Sequence, residues 1–224
     1  MFYSLDEIMI FCDFDGTITK IDCIDKLLSM YANNKWEEIE KLWNENKIGS
    51  KECLKLQFDC IENITMKDLL KFAHNIEIDP YFISFIKQVK KYAYPFYIVS
   101  DGFDFFINSV LKKNEIGNIP VFSNSFDFNN GKFTLSFPYS SEKCLSKSGI
   151  CKCEVINKFK SDKSVIYIGD GRSDMCAVRN ADLVFAKGKL ARYCAENSIK
   201  FIEYSNFNEI INNLFIKGNK YVAV

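Results

Sequence analysis

Short, almost wholly apolar runs decide what this chain can fold into. Ile8-Met9-Ile10-Phe11-Cys12, Phe96-Tyr97-Ile98-Val99, Val165-Ile166-Tyr167-Ile168 and Leu183-Val184-Phe185-Ala186 are each of strand length and carry almost no polar position. A strand with one wet face alternates polar and apolar residues; a strand buried on both faces need not. Helical patterns separate these runs. Buried strands alternating with helices predict an α/β fold, a doubly wound parallel sheet covered on both faces.

Between the first two runs the pattern is helical. From about residue 23 to 73 Pro and Gly are nearly absent, and Trp36, Ile39 and Trp43 fall at i, i+3 and i+7, one face of a helix. Further helices are expected over residues 51–61, 66–73 and 81–92, the last opened by Pro80. Residues 21–78 therefore read as an inserted helical cap, with 1–20 and 79–224 as the catalytic core. Asn129-Asn130-Gly131 between residues 121–126 and 132–137 signals a hairpin.

Composition narrows the function. Basic and acidic residues number 29 each, which argues against a protein whose main task is holding nucleic acid. No apolar run reaches the ~18 residues of a membrane span, and Asp6 and Glu7 interrupt the N-terminal apolar stretch, so no signal peptide is read. Nine cysteines scattered through apolar and helical patterns do not resemble a secreted disulfide framework. A reduced, cytoplasmic globular protein is expected.

Four features fall where strands end, the edge at which open α/β sheets bind ligands. Asp13-Phe14-Asp15-Gly16-Thr17 follows the first run; strand alternation is expected to place Asp13 and Asp15 side by side, and Gly16 permits a sharp turn. Paired carboxylates repel, an arrangement kept mostly where a cation or a reaction needs it. Ser100-Asp101-Gly102 offers a hydroxyl and backbone N–H groups to a phosphate. Lys152 opens a helix, and Gly169-Asp170-Gly171-Arg172-Ser173-Asp174 adds two more acids. Hard carboxylate oxygens suit Mg²⁺, and the set suits phosphoryl transfer to an Asp, with a neighbouring acid moving the proton.

In that order these motifs resemble the four motifs of the haloacid dehalogenase (HAD) superfamily, spanning residues 13–174. The resemblance implies a Rossmann-like core, Mg²⁺, Asp13 as nucleophile and Asp15 as acid/base. It implies Ser100 and Lys152 as phosphate partners, and Asp13, Asp170 and the Asp15 carbonyl as metal ligands with Asp174 supporting the metal's water shell. The cap resembles that of the phosphoserine phosphatase-like branch, in which Asp22, Asp101 and Gly102 become candidate substrate contacts. Residues 13–19, Asp22, residues 95–106 and the Cys-bearing loop ending in Cys151-Lys152 are similar to the bacterial methionine-salvage enol-phosphate phosphatases, which carry Gly-Gly where this chain has Asp101-Gly102.

The implied activity is hydrolysis of a small phosphorylated metabolite. Alternatives are phosphoserine or phosphocholine/phosphoethanolamine hydrolysis, phosphotransfer, and a non-enzymatic phospholigand-binding module. No arginine precedes Arg172, so the cap has no guanidinium to clamp a substrate carboxylate. Asp22 also reads as a helix cap. Cys144, Cys151 and Cys153 lack the fourth ligand of a structural zinc site and read as a tethered loop that positions Lys152. His74 reads as a solvated helix-end residue, and Trp36 and Trp43 as cap core.

Overall fold

The computed structural model describes residues 8–144 and 146–216; the outer ends of the expected core, 1–7 and 217–224, lie outside the described residues. Seven strands form one sheet in the order β4-β3-β2-β1-β5-β6-β7. They are β1 (Ile8–Cys12), β2 (Phe96–Phe103), β3 (Val121–Asn129), β4 (Lys132–Ser136), β5 (Ser164–Gly169), β6 (Leu183–Ala186) and β7 (Ile202–Glu203). All neighbours run parallel except β3 and β4, the hairpin turned by Asn130 (φ 51°) and Gly131 (φ 76°). The expected doubly wound sheet is present. β7, two residues long, gave no readable periodicity.

β1 lies between β2 and β5, so the strand order reverses there and a crevice opens beyond its C-terminal end. Every β1 residue is buried because helices cover both faces. One apolar cluster holds Ile10, Cys12, Ile98 and Ile168; the other holds Met9, Phe11, Val99 and Tyr167.

Four helices follow β1: α1 (Cys23–Tyr31), α2 (Lys35–Asn44), α3 (Ser50–Phe58) and α4 (Met66–Asn75). The chain enters and leaves this block side by side. Thr19 bridges Ile78 in antiparallel fashion, and the Asp79 N–H donates to the Ile18 carbonyl at 2.8 Å. The block shares its apolar cluster with the core: Phe72 of α4 meets Phe106 edge-on at 5.5 Å, and Phe58 of α3 packs at 4.8 Å from Phe103. α2 has no buried residue. The remaining helices are α5 (Phe82–Lys91), α6 (Asp104–Lys113), α7 (Lys152–Phe159), α8 (Gly188–Glu196) and α9 (Phe207–Ile211). No helix among the described residues is long and apolar enough to cross a membrane.

Candidate active site

β1 stops at Cys12, so strand alternation does not pair Asp13 with Asp15; a turn does. The Asp13 N–H still donates to Ile168, at 2.9 Å, and the chain then curls around Thr19. The Thr19 hydroxyl accepts from the Gly16 N–H at 3.1 Å and donates to the Ile21 carbonyl at 2.7 Å. Gly16 sits at φ +69°, and a Cβ there would stand 2.6 Å from Asp170 Oδ2. Both carboxylates reach one cavity but take different partners.

Asp13 is almost wholly buried. Its Oδ1 accepts from the Phe14 N–H at 2.8 Å and pairs with Lys152 Nζ at 2.8 Å. Lys152 is fully buried and reaches Asp174 Oδ1 at 2.6 Å. Burial works against the ammonium, but Asp13 and Asp174 outweigh it and hold Lys152 charged. Asp174 spends both oxygens on the chain. Oδ1 also accepts from the Tyr167 hydroxyl at 2.5 Å, and Oδ2 accepts from the Asp170 and Gly171 N–H groups at 3.0 and 2.9 Å. Asp170 accepts the Thr17 hydroxyl at 2.6 Å. One oxygen each from Asp13, Asp170 and Asp174 lie within 4.8 Å of one another. This all-carboxylate donor set fits a hard divalent cation.

Asp15 turns to the other wall. The Cys23 N–H donates to Oδ1 at 3.2 Å, and the buried Ser100 hydroxyl approaches Oδ2 at 3.4 Å. Burial, then repulsion from Asp22, pushes Asp15 up to about 7. A Cβ on Gly102 would stand 2.1 Å from Asp15 Oδ2, so only glycine admits the carboxylate here. The Gly102 N–H donates to Ser100 Oγ at 3.0 Å.

Asp101 stands at the cavity wall with several partners. Its Oδ2 accepts the Ser50 hydroxyl at 2.5 Å, and its Oδ1 accepts from the Ile150 N–H at 3.0 Å and the Asn124 amide at 3.1 Å. This carboxylate ties the start of α3 to β3 and to the loop that delivers Lys152, and Asp101 also lines the cavity. Asp22 caps α1, accepting from the Ile24 and Asp25 N–H groups at 2.9 and 3.0 Å, and also lines the cavity.

The cavity has a volume of about 370 Å³. α1 to α3 contribute carboxylates from Asp22, Asp25 and Glu40 and a less polar patch from Ile24, Trp43, Cys53 and Leu54. Asp22 and Asp25 stay open to cavity solvent. The chain crowding them, with mutual repulsion second for Asp22 and Glu40 second for Asp25, pushes them up to about 7 and about 6. Solvent moderates that until a bound molecule displaces it. The expectation for Trp43 is corrected, since it lines the cavity; Trp36 packs against the core cluster and His74 is exposed, as read. The arginine reading holds for the cap itself. The cap has none, but Arg172 and Arg192 reach the cavity from the core. Tyr167, Thr17 and Arg172 were not singled out: Thr17 and Arg172 find their partners 153 and 128 positions away, and Tyr167 reads as one more residue of an apolar strand.

A family model described as Putative Phosphatase matches residues 8–200. The chain belongs to this family. Among curated relatives, a 2-hydroxy-3-keto-5-methylthiopentenyl-1-phosphate phosphatase of Bacillus cereus is 32% identical over 214 residues, covering 93% of this chain and 96% of the relative. One of Brevibacillus brevis is 28% identical over 211 residues, covering 93% and 95%. Among solved structures, a phospho-aspartyl intermediate analogue of phosphoserine phosphatase superposes with a TM-score of 0.73 at 21% identity, over 92% of this chain and 97% of that one. A substrate-bound phosphoserine phosphatase complex gives 0.71 at 21% identity, over the same shares. This member of the putative phosphatase family is a phosphoric monoester hydrolase, and it shares the Rossmann-like α/β fold of those solved structures.

Proposed function

We propose that the chain is a Mg²⁺-dependent phosphatase that hydrolyses a small enol phosphate of the methionine-salvage type through an aspartyl-phosphate on Asp13. The observation that carries the chemistry is the buried Asp13–Lys152–Asp174 array beside Asp15. The substrate reading is supported by the relatives' names and by a cavity whose α1–α3 wall is anionic and partly apolar.

Both Asp13 contacts fall on Oδ1, which leaves Oδ2 to attack phosphorus. Lys152 and the Ser100 hydroxyl hold the phosphoryl oxygens. Asp15, pushed to about 7, is suited to protonate the leaving oxygen and then to take a proton from the attacking water. Asp13, Asp170 and the Asp15 carbonyl would hold Mg²⁺, which would supply positive charge to offset that of phosphate and nucleophile, while Asp174, already saturated, fixes Lys152 and the turn that carries Asp170. Residues 21–78 act as the cap, with Ile24, Leu54 and Trp43 facing the methylthio end. Nine free thiols fit a reducing cytoplasm.

A carboxylate-bearing substrate such as phosphoserine meets the Asp22, Asp25 and Glu40 carboxylates on that wall, while the guanidinium beside it, Arg172, is already engaged by Asn44, Asn46 and Trp43. The expected kcat/KM for the enol phosphate exceeds that for phosphoserine by about a hundredfold or more. Both activities should vanish with EDTA and return with Mg²⁺. A higher kcat/KM for phosphoserine overturns the substrate assignment, and full activity in metal-free buffer overturns the metal assignment.

Arg172 ties the turn after β5 to α2. Its guanidinium donates to the Asn44 carbonyl at 2.9 Å, hydrogen-bonds Asn46 Oδ1 and lies 5.4 Å from the Trp43 ring centroid. Arg172→Ala is expected to raise KM roughly three- to tenfold, from the loss of one charged hydrogen-bond pair and one cation–π contact. The fall in kcat should be smaller, and steady-state kinetics check the split.

A further inference from the structure

Lys152 enters the site from a segment, residues 147–151, that has no helix or strand of its own. Polar groups from distant parts of the chain hold it instead. Three consecutive N–H groups lead up to Lys152. That of Gly149 donates to the Ser50 hydroxyl at 3.2 Å, that of Ile150 to Asp101 Oδ1 at 3.0 Å, and that of Cys151 to the Tyr139 carbonyl at 2.9 Å. The first two anchors are joined to each other, because the Ser50 hydroxyl donates to Asp101 Oδ2 at 2.5 Å. Asn124 fixes Asp101 in turn, its amide donating to the Asp101 carbonyl at 2.6 Å and to Oδ1 at 3.1 Å. Ser50, Asn124 and Ile150 are all buried, so a partner lost here is costly to replace. The fit is close. A Cβ on Gly149 would stand 2.6 Å from Asp101 Oδ1, and one on Gly49 would stand 2.4 Å from the Lys147 Cβ.

We propose that Ser50 and Asp101 are positioning residues for Lys152, and that full turnover depends through them on α3 being seated against the core. Ser50 is the first residue of α3, and the same helix gives Cys53, Leu54 and Gln57 to the cavity wall. A substrate resting on that wall therefore bears on the helix that grips the Lys152 segment. Lys152 Nζ stands 2.8 Å from Asp13 and 2.6 Å from Asp174, distances that a displaced segment does not keep. The ammonium matters most where negative charge gathers in the transition state. Misplacing it lowers kcat more than it weakens substrate binding. The inference rests on the reading of Lys152 as the cation that holds the phosphoryl group, and not on which phosphate ester is the substrate.

Steady-state kinetics on p-nitrophenyl phosphate test this, with rates taken per folded molecule from thermal melts. S50A is expected to lower kcat roughly tenfold while KM moves less than about twofold. D101A should lose at least as much. The S50A/D101A double variant should lose little beyond D101A alone, because both act through one segment. D101N keeps an acceptor for the Ile150 N–H and should recover most of the kcat that D101A loses. Should D101A fail to fold, S50A, which removes a single hydroxyl, carries the test. K152M separates the two readings. If K152M keeps turnover, the reading of Lys152 fails and this inference fails with it. If K152M is inactive, the positioning role alone is overturned by any of three results: S50A with wild-type kcat, S50A with a change in KM only, or D101N no better than D101A.

Discussion

Asp13→Asn is expected to abolish turnover without unfolding the protein. An amide is a poor nucleophile toward phosphorus, and losing covalent catalysis costs more than the roughly hundredfold typical of one acid/base group. The fold should survive because the amide oxygen can still accept the Phe14 N–H, and Lys152 keeps Asp174 at 2.6 Å. Burial, then Asp174, already pushes the Asp13 carboxyl well above its ordinary range. An ionised Asp13 therefore weakens the metal-free fold near neutral pH. The melting temperature of D13N without metal should equal or exceed that of the wild type. Retention of more than about a hundredth of the wild-type rate would rule out the covalent route.

Lys152→Met should cost both stability and activity. The side chain is fully buried, as is Asp174, and Asp13 is nearly so. Removing the only cation paired with both carboxylates among the described residues leaves buried negative charge without compensation, a loss of about 3–5 kcal/mol. Denaturant melts at neutral pH read that loss directly. Asp13 already titrates above its unfolded value, and the substitution raises it further. The penalty for keeping it ionised is full above that raised pKa and disappears as pH falls below the unfolded value. The stability gap to wild type should therefore narrow on acidification. A gap under about 1 kcal/mol at neutral pH, or one that widens in acid, would show that Lys152 is not the counter-charge of this array.

The sequence by itself determined the sheet, because burial on both faces writes a continuous apolar run whatever the partner strand. It also determined the helical block and the four motif stations, which are local: a strand end, a glycine-permitted turn, a helix start. Asp13, Asp15, Ser100, Lys152, Asp170 and Asp174 were legible because those stations occur in order and all fall at one edge of an α/β sheet. The tertiary structure decided the rest. Periodicity reports how buried a residue is, not which atom it meets. Asp101 lines the cavity, but its ties to Ser50, 51 positions earlier, and to the Ile150 N–H come only with the fold. Arg172 reaches Asn44 across 128 positions, and Trp43 turns to the cavity because α2 lies on the surface without burying any residue. Each of these is a pairing of polar groups between distant segments. Such pairings depend on how the chain crosses itself, and only the folded molecule fixes that.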